Sequence, residues 1–148
     1  MLDLQSPWAL GLKYNMPYYE LYYHIVWGTK NRQGIILPDF ESDLYRVIAP
    51  KVIQMDGIVH AIGGIEDHVH LAVTIPPKHA LSKVIGEVKG NSSHAVNYML
   101  KPGFNFSWRE EYGVFSFGEK NLSRIVHYIQ NQKQHQAENT IQTYMENW

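Results

Sequence analysis

The chain reads as an α+β protein whose elements run β-α-β-β-α-β-α. Three observations predict this. Runs rich in aromatic and β-branched residues at 19–30, 58–65, 68–75 and 114–118 have strand composition. The segments from Pro38, from about residue 80 and from Asn121 instead repeat apolar residues at helical spacing. Finally, 58–65 and 68–75 are joined only by Glu66 and Asp67, a connection short enough to demand a hairpin. That order is the split βαβ of a ferredoxin-like sandwich, a four-stranded antiparallel sheet with helices on one face, extended here by a C-terminal helix.

Residues 1–17 carry no sustained period and end at Pro17, so an irregular arm is expected there and the domain is expected over 18–148. "YELYYHIVWGTK" is the first strand, closed by the polar turn "TKNRQG". "LPDFESDLYRVIAPKVIQMDG" follows with Pro38 and Asp39 as a helix start and Phe40, Leu44, Val47 and Ile48 on its apolar face. Pro50 should kink or split this helix before Gly57 stops it. After the hairpin, Pro76 and Pro77 end the strand. Leu81, Val84, Ile85, Val88, Val96, Met99 and Leu100 then mark one face of a helix over about 80–100. The loop "KPGFNFSWREEYG" leads into the strand "VFSFG". The last helix, "NLSRIVHYIQNQKQHQAEN", has Asn121 as its cap and Leu122, Ile125, Val126 and Ile129 inward.

Composition narrows the function classes. With 148 residues, 45% hydrophobic and 18% charged, the chain suits one globular domain with its own core. No window reaches the roughly 18 apolar residues of a membrane span, and the N-terminus lacks signal-peptide order, so a cytoplasmic protein without a membrane partner is expected. Zero cysteines exclude disulfides and thiolate metal sites. A net charge of -1 argues against a broad duplex-binding surface. It leaves room for a local single-strand groove with aromatic stacking, for which ten Tyr, five Phe and four Trp are at hand.

Two stretches carry candidate chemistry. In "EDHVH", His68 and His70 lie two apart on a strand, so both imidazoles face one side and offer a two-point grip on a divalent ion. A pair so spaced also arises as ordinary strand polarity. In "HYIQNQ", Tyr128 and Gln132 are four apart and share a helix face. The carboxamide oxygen is a hard donor suited to Mg or Mn, and a phenol one turn away can act as a nucleophile. Read singly, Tyr128 is equally a half-packed helix aromatic and Gln132 a solvated surface residue.

Together, "EDHVH" and "HYIQNQKQH" resemble the single-tyrosine HUH transposases of IS200-like insertion sequences and the related REP-associated tyrosine transposases. HUH denotes histidine, hydrophobic residue, histidine. "VWGTKNR", "VKGNSSHAVN" and "WREEYGVFSFG" agree with the same family, so the resemblance spans roughly residues 18–136. Glu111 stands where the family often has Gly, and Pro50 lies inside the first helix, departures that bear on packing. The resemblance implies His68, His70 and Gln132 as ligands of a divalent metal, Mg or Mn, and Tyr128, on the C-terminal helix, as nucleophile. It further implies DNA contacts by Lys30 and Arg32, and by Lys89.

The implied reaction is cleavage and rejoining of single-stranded DNA, with a hairpin near the element end, through a 5′-phosphotyrosine. The family resemblance also implies a homodimer, in which a first strand as aromatic as 19–30 could pair with its copy. Three alternatives share most of these residues: a single-stranded nucleic-acid-binding module without catalysis, a HUH nicking endonuclease or domesticated relative, and a small hydrolase using metal-bound water.

Overall fold

The structure is a computed structural model in which residues 18–138 are described. The expected arm at 1–17 lies outside the described residues. Four strands, β1 (Tyr22–Gly28), β2 (Ile58–Ile65), β3 (His68–Thr74) and β4 (Gly113–Phe117), form one antiparallel sheet in the order β2-β3-β1-β4. The helices are α1 (Pro38–Gln54), α2 (Leu81–Ala95), α3 (Leu122–Gln130) and α4 (Gln132–Glu138). The α+β ferredoxin-like arrangement read from the sequence is the observed one.

Strand alternation divides the sheet chemically. Ile25 and Trp27 of β1 and Val69, Leu71 and Val73 of β3 point to one face, where α1 supplies Leu44, Ile48 and Val52 and α2 supplies Val84, Ile85 and Val88. This is the main core. On the other face, Ala61 and Ala72 pack against Ile125, Tyr128 and Ile129 of α3. The small alanines let the helix lie close, and all seven residues of β3 are buried because both faces are covered.

Four expectations need correction. Helix α1 runs unbroken through Pro50: the buried i, i+4, i+8 row of Leu44, Ile48 and Val52 holds it to the sheet, while Pro50 lies on the exposed side. Met99 is 76% exposed because α2 passes into a π-helical turn at Val96–Leu100, which advances the side chains off the 3.6-residue period. Asn121 makes no side-chain cap; it ends a 3-10 turn, Glu119–Asn121, that leads into α3. The last helix breaks at Asn131 (φ -112, ψ 29), giving α3 and α4 in place of one helix.

The dimer argument also changes. β1 is an interior strand hydrogen-bonded to β3 and β4 on its two sides, so its backbone has no edge to offer a second copy. The sheet edges are β2 and β4.

Candidate functional site

His68 and His70 do share a face, 5.0 Å apart between ring centroids, and both are buried. Each is anchored through Nδ1. Asp67 Oδ1 lies 2.7 Å from His68 Nδ1, and Arg32 Nε donates to Asp67 Oδ2 at 3.3 Å. A carboxylate only accepts, so His68 presents an Nδ1 proton to Asp67. Burial works to raise the Asp67 carboxyl, but His68 and then Arg32 outweigh it and hold the group below the ordinary carboxylate range.

The anchor of His70 is a residue that sequence reasoning missed. His24 of β1 is fully buried, and its Nε2 lies 2.8 Å from His70 Nδ1. In the β1–β3 register His24 faces Ala72 and Val26 faces His70, which puts His24 diagonal to His70 on the same side of the sheet. Its parity along "YYHIVWG" was visible; the register that brings it to His70 was not. Asp67 had been read only as part of the tight turn.

Helix α3 delivers Tyr128 to this spot. Its ring stands edge-on to His70 at 5.9 Å and to His24 at 6.4 Å, and His135 of α4 packs against it at 4.8 Å. Tyr128 is 6% exposed. The approach is set by Gly63 of β2, the register partner of His70, where the helix backbone at Ile129 comes so near that no side chain fits. Beyond the Asn131 break, Gln132 is buried and its Nε2 donates to Tyr128 O at 3.3 Å. Lys133 pins the start of α4 by donating to Glu41 (2.7 Å) and to Gly64 O (3.2 Å).

The donor set fits a borderline or hard divalent ion. Two imidazoles on one face and a carboxamide oxygen are donor types that suit Mn, Mg or a similar metal. Among the described residues no group of three or more His, Cys, Asp or Glu is arranged to hold a metal ion.

A cleft of about 590 Å³ is lined by Lys30, Asn31, Arg32 and the 107–111 loop. Lys30 and Arg32 sit on a 3-10 turn (Lys30–Arg32) and are exposed. Asn31 and Arg32 both adopt left-handed backbone (φ 58 and 53), a costly pair for residues with side chains. The turn is held by Thr29 N to Asp67 O (2.9 Å), Thr29 Oγ1 to Gln33 O (2.7 Å) and Lys30 N to Ser107 O (2.9 Å). Arg32 therefore links the cleft to Asp67 and the metal-ligand candidate His68. Lys89, expected to face DNA, instead turns its ammonium to the carbonyls of Arg109, Glu110 and Glu111 at 2.6, 2.9 and 3.3 Å.

The chain is similar to known transposases in sequence and fold. The ISDra2 transposase TnpA of Deinococcus radiodurans is 25% identical over 121 residues, covering 77% of this chain and 85% of its own. A crystal structure of a candidate transposase from Deinococcus radiodurans R1 superposes with a TM-score of 0.61 at 25% identity, over 81% of this chain and 97% of that one. A REP-associated tyrosine transposase bound to a REP hairpin shares the fold, with a TM-score of 0.58 at 19% identity over 78% of this chain and 68% of that one. Residues 17–132 match the family described as IS200-like transposases, and the chain belongs to that family.

Proposed function

We propose that this chain is a metal-dependent transposase that cleaves and rejoins single-stranded DNA through Tyr128, acting in the cytoplasm as a homodimer on DNA with a hairpin near the element end. The observation that carries the reading is the placement of the Tyr128 ring against His70, with His68 beside it. One of the structural relatives is bound to a REP hairpin, which supports a folded single strand as the substrate class.

In this reading His68, His70 and the Gln132 carboxamide would hold Mg or Mn, which when bound would supply Lewis-acid polarisation of the scissile phosphate and offset the charge that develops on it. The Tyr128 oxygen attacks phosphorus and gives up its proton. The bond from phosphorus to the 3′ oxygen breaks, and that oxygen takes a proton to become a 3′-hydroxyl. The 5′ side is left as a phosphotyrosine whose bond energy is available for rejoining. Lys30 and Arg32 line a cleft where they would hold backbone phosphates, Arg32 at the same time fixing Asp67, the partner of His68. Copies of the chain would join through β2 or β4, the two edges of the sheet.

The test is to incubate the protein with Mn and a labelled hairpin oligonucleotide from sequence flanking its gene, then separate products under denaturing conditions. A covalent protein–DNA adduct that vanishes in Tyr128→Phe, while DNA binding persists, is the expected result. Tight binding with no adduct from several flanking hairpins would put the binding module ahead. Cleavage that survives Tyr128→Phe but is lost in His70→Ala would point to hydrolysis by metal-bound water. An adduct that never rejoins to a second strand would favour a nicking enzyme.

A further inference from the structure

Lys89 lies on α2 and is 9% exposed. An ammonium has three N–H donors, and here three successive carbonyls, those of Arg109, Glu110 and Glu111, converge on it. None is left over for a phosphate. Burial lowers the tendency of this amine to stay protonated, with the charges of Glu111 and Glu110 working the other way.

Lys89 is one of a row of α2 side chains that grip the same loop. Ser92 Oγ accepts from Trp108 Nε1 at 2.8 Å. Asn97, just beyond the helix, both donates to Phe106 O (2.8 Å) and accepts from Phe106 N (2.7 Å). The loop is tied on its other side to β1 and its turn, by Arg109 N to Gly28 O and Lys30 N to Ser107 O, both at 2.9 Å. So the loop, with Arg109, lines the same cleft as Lys30 and Arg32.

We infer that Lys89 is a positioning residue for the nucleic-acid cleft: by collecting the carbonyls of residues 109–111 it fixes the wall that carries Arg109, and it makes no contact with DNA itself. The inference rests on the reading of the cleft as the path of single-stranded DNA. Three dipoles pointing at one buried cation are a stiff constraint, and they extend the bonds that hold residues 106–109 to the carbonyls of Glu110 and Glu111.

Two measurements decide it. The first labels the wild-type protein with an amine-reactive ester, with and without a single-stranded hairpin oligonucleotide, and reads each lysine by mass spectrometry. Lys30 should label readily and be shielded by DNA, while Lys89 stays unlabelled in both samples. The second compares Lys89→Met with Lys30→Ala in DNA binding across a salt series, well below the unfolding midpoint of each. Lys89→Met should raise Kd about tenfold with an unchanged salt slope, whereas Lys30→Ala should reduce the slope by about 0.7. Labelling of Lys89 that DNA suppresses, or a slope reduced in Lys89→Met as in Lys30→Ala, would make it a direct contact and overturn the inference. A lowered midpoint with unchanged Kd would reduce Lys89 to a stability role and overturn it equally. If the wild type binds no DNA, the functional reading and the cleft's role fail together, and the labelling alone still decides whether the ammonium is enclosed.

Discussion

Gly63→Ala should push the tyrosine helix off the sheet. A Cβ built on Gly63 presses directly on the Ile129 carbonyl oxygen and stands 3.1 Å from its carbonyl carbon and 3.4 Å from Cγ2. The obstructing atoms are backbone, so no side-chain rotation relieves the clash. The strand cannot retreat either, because β2 is hydrogen-bonded to β3 along its length. The helix must therefore rise by roughly 1 Å, and a gap of that size forfeits about a quarter to a half of the dispersion attraction it opens. The contacts at stake are those of Ile125, Tyr128 and Ile129 with Ala61 and Ala72. By analogy with overpacked cores, the cost is about 1–3 kcal/mol. A displacement of that order can also cost about a hundredfold in rate when it moves a reacting atom. Urea unfolding measures the first quantity, amide exchange over residues 122–132 locates it, and adduct formation with a DNA hairpin reports the second. If Gly63→Ala unfolds at the wild-type urea midpoint, with unchanged exchange in this segment, the tyrosine helix does not pack on Gly63 and the argument fails.

Two further outcomes follow from the geometry. His24→Leu removes the partner of His70 Nδ1 at similar volume and should weaken Mn binding about 10–100-fold in calorimetry without preventing folding; unchanged affinity would show that His24 does not orient His70. The third concerns His60, whose Nε2 lies 2.7 Å from Thr74 Oγ1 and whose pKa is lowered by burial from an ordinary value of 6.5. A depressed folded pKa means that the unfolded chain takes the proton first, so this contribution is whole above about 6.5 and is lost as pH falls through the folded value. His60→Gln should therefore lose less stability than wild type between neutral pH and a pH just below 6, read as the shift in denaturant midpoint. An equal loss in both proteins would show that His60 is not depressed by the fold.

Much of this architecture was legible because local chemistry and tertiary position agree. The hairpin follows from two apolar runs separated by Glu66 and Asp67, and α1 and α2 from apolar rows that the sheet then buries. Where they disagree, a backbone event intervened. The π-helical turn at Val96–Leu100 carried Met99 out to solvent, and the break at Asn131 divided the last helix. Pro50 misled in the opposite direction, since the loss of one helical hydrogen bond was outweighed by the buried row beneath it.

The sequence by itself determined the order of strands and main helices and the shared face of His68 and His70, because these depend only on the two- and 3.6-residue periods of strand and helix; the pairing of Tyr128 with Gln132 does not, since the helix breaks between them at Asn131. The tertiary structure decided what those groups meet. Only strand register brought His24 to His70, only the sheet order placed β1 inside rather than at an edge, and only the docking of α3 over Gly63 set Tyr128 against the histidines. The reversal of Lys89 has the same origin. A lysine's charge is visible in sequence, but whether it meets solvent or three carbonyls depends on a loop some twenty residues away, and no local period carries that information.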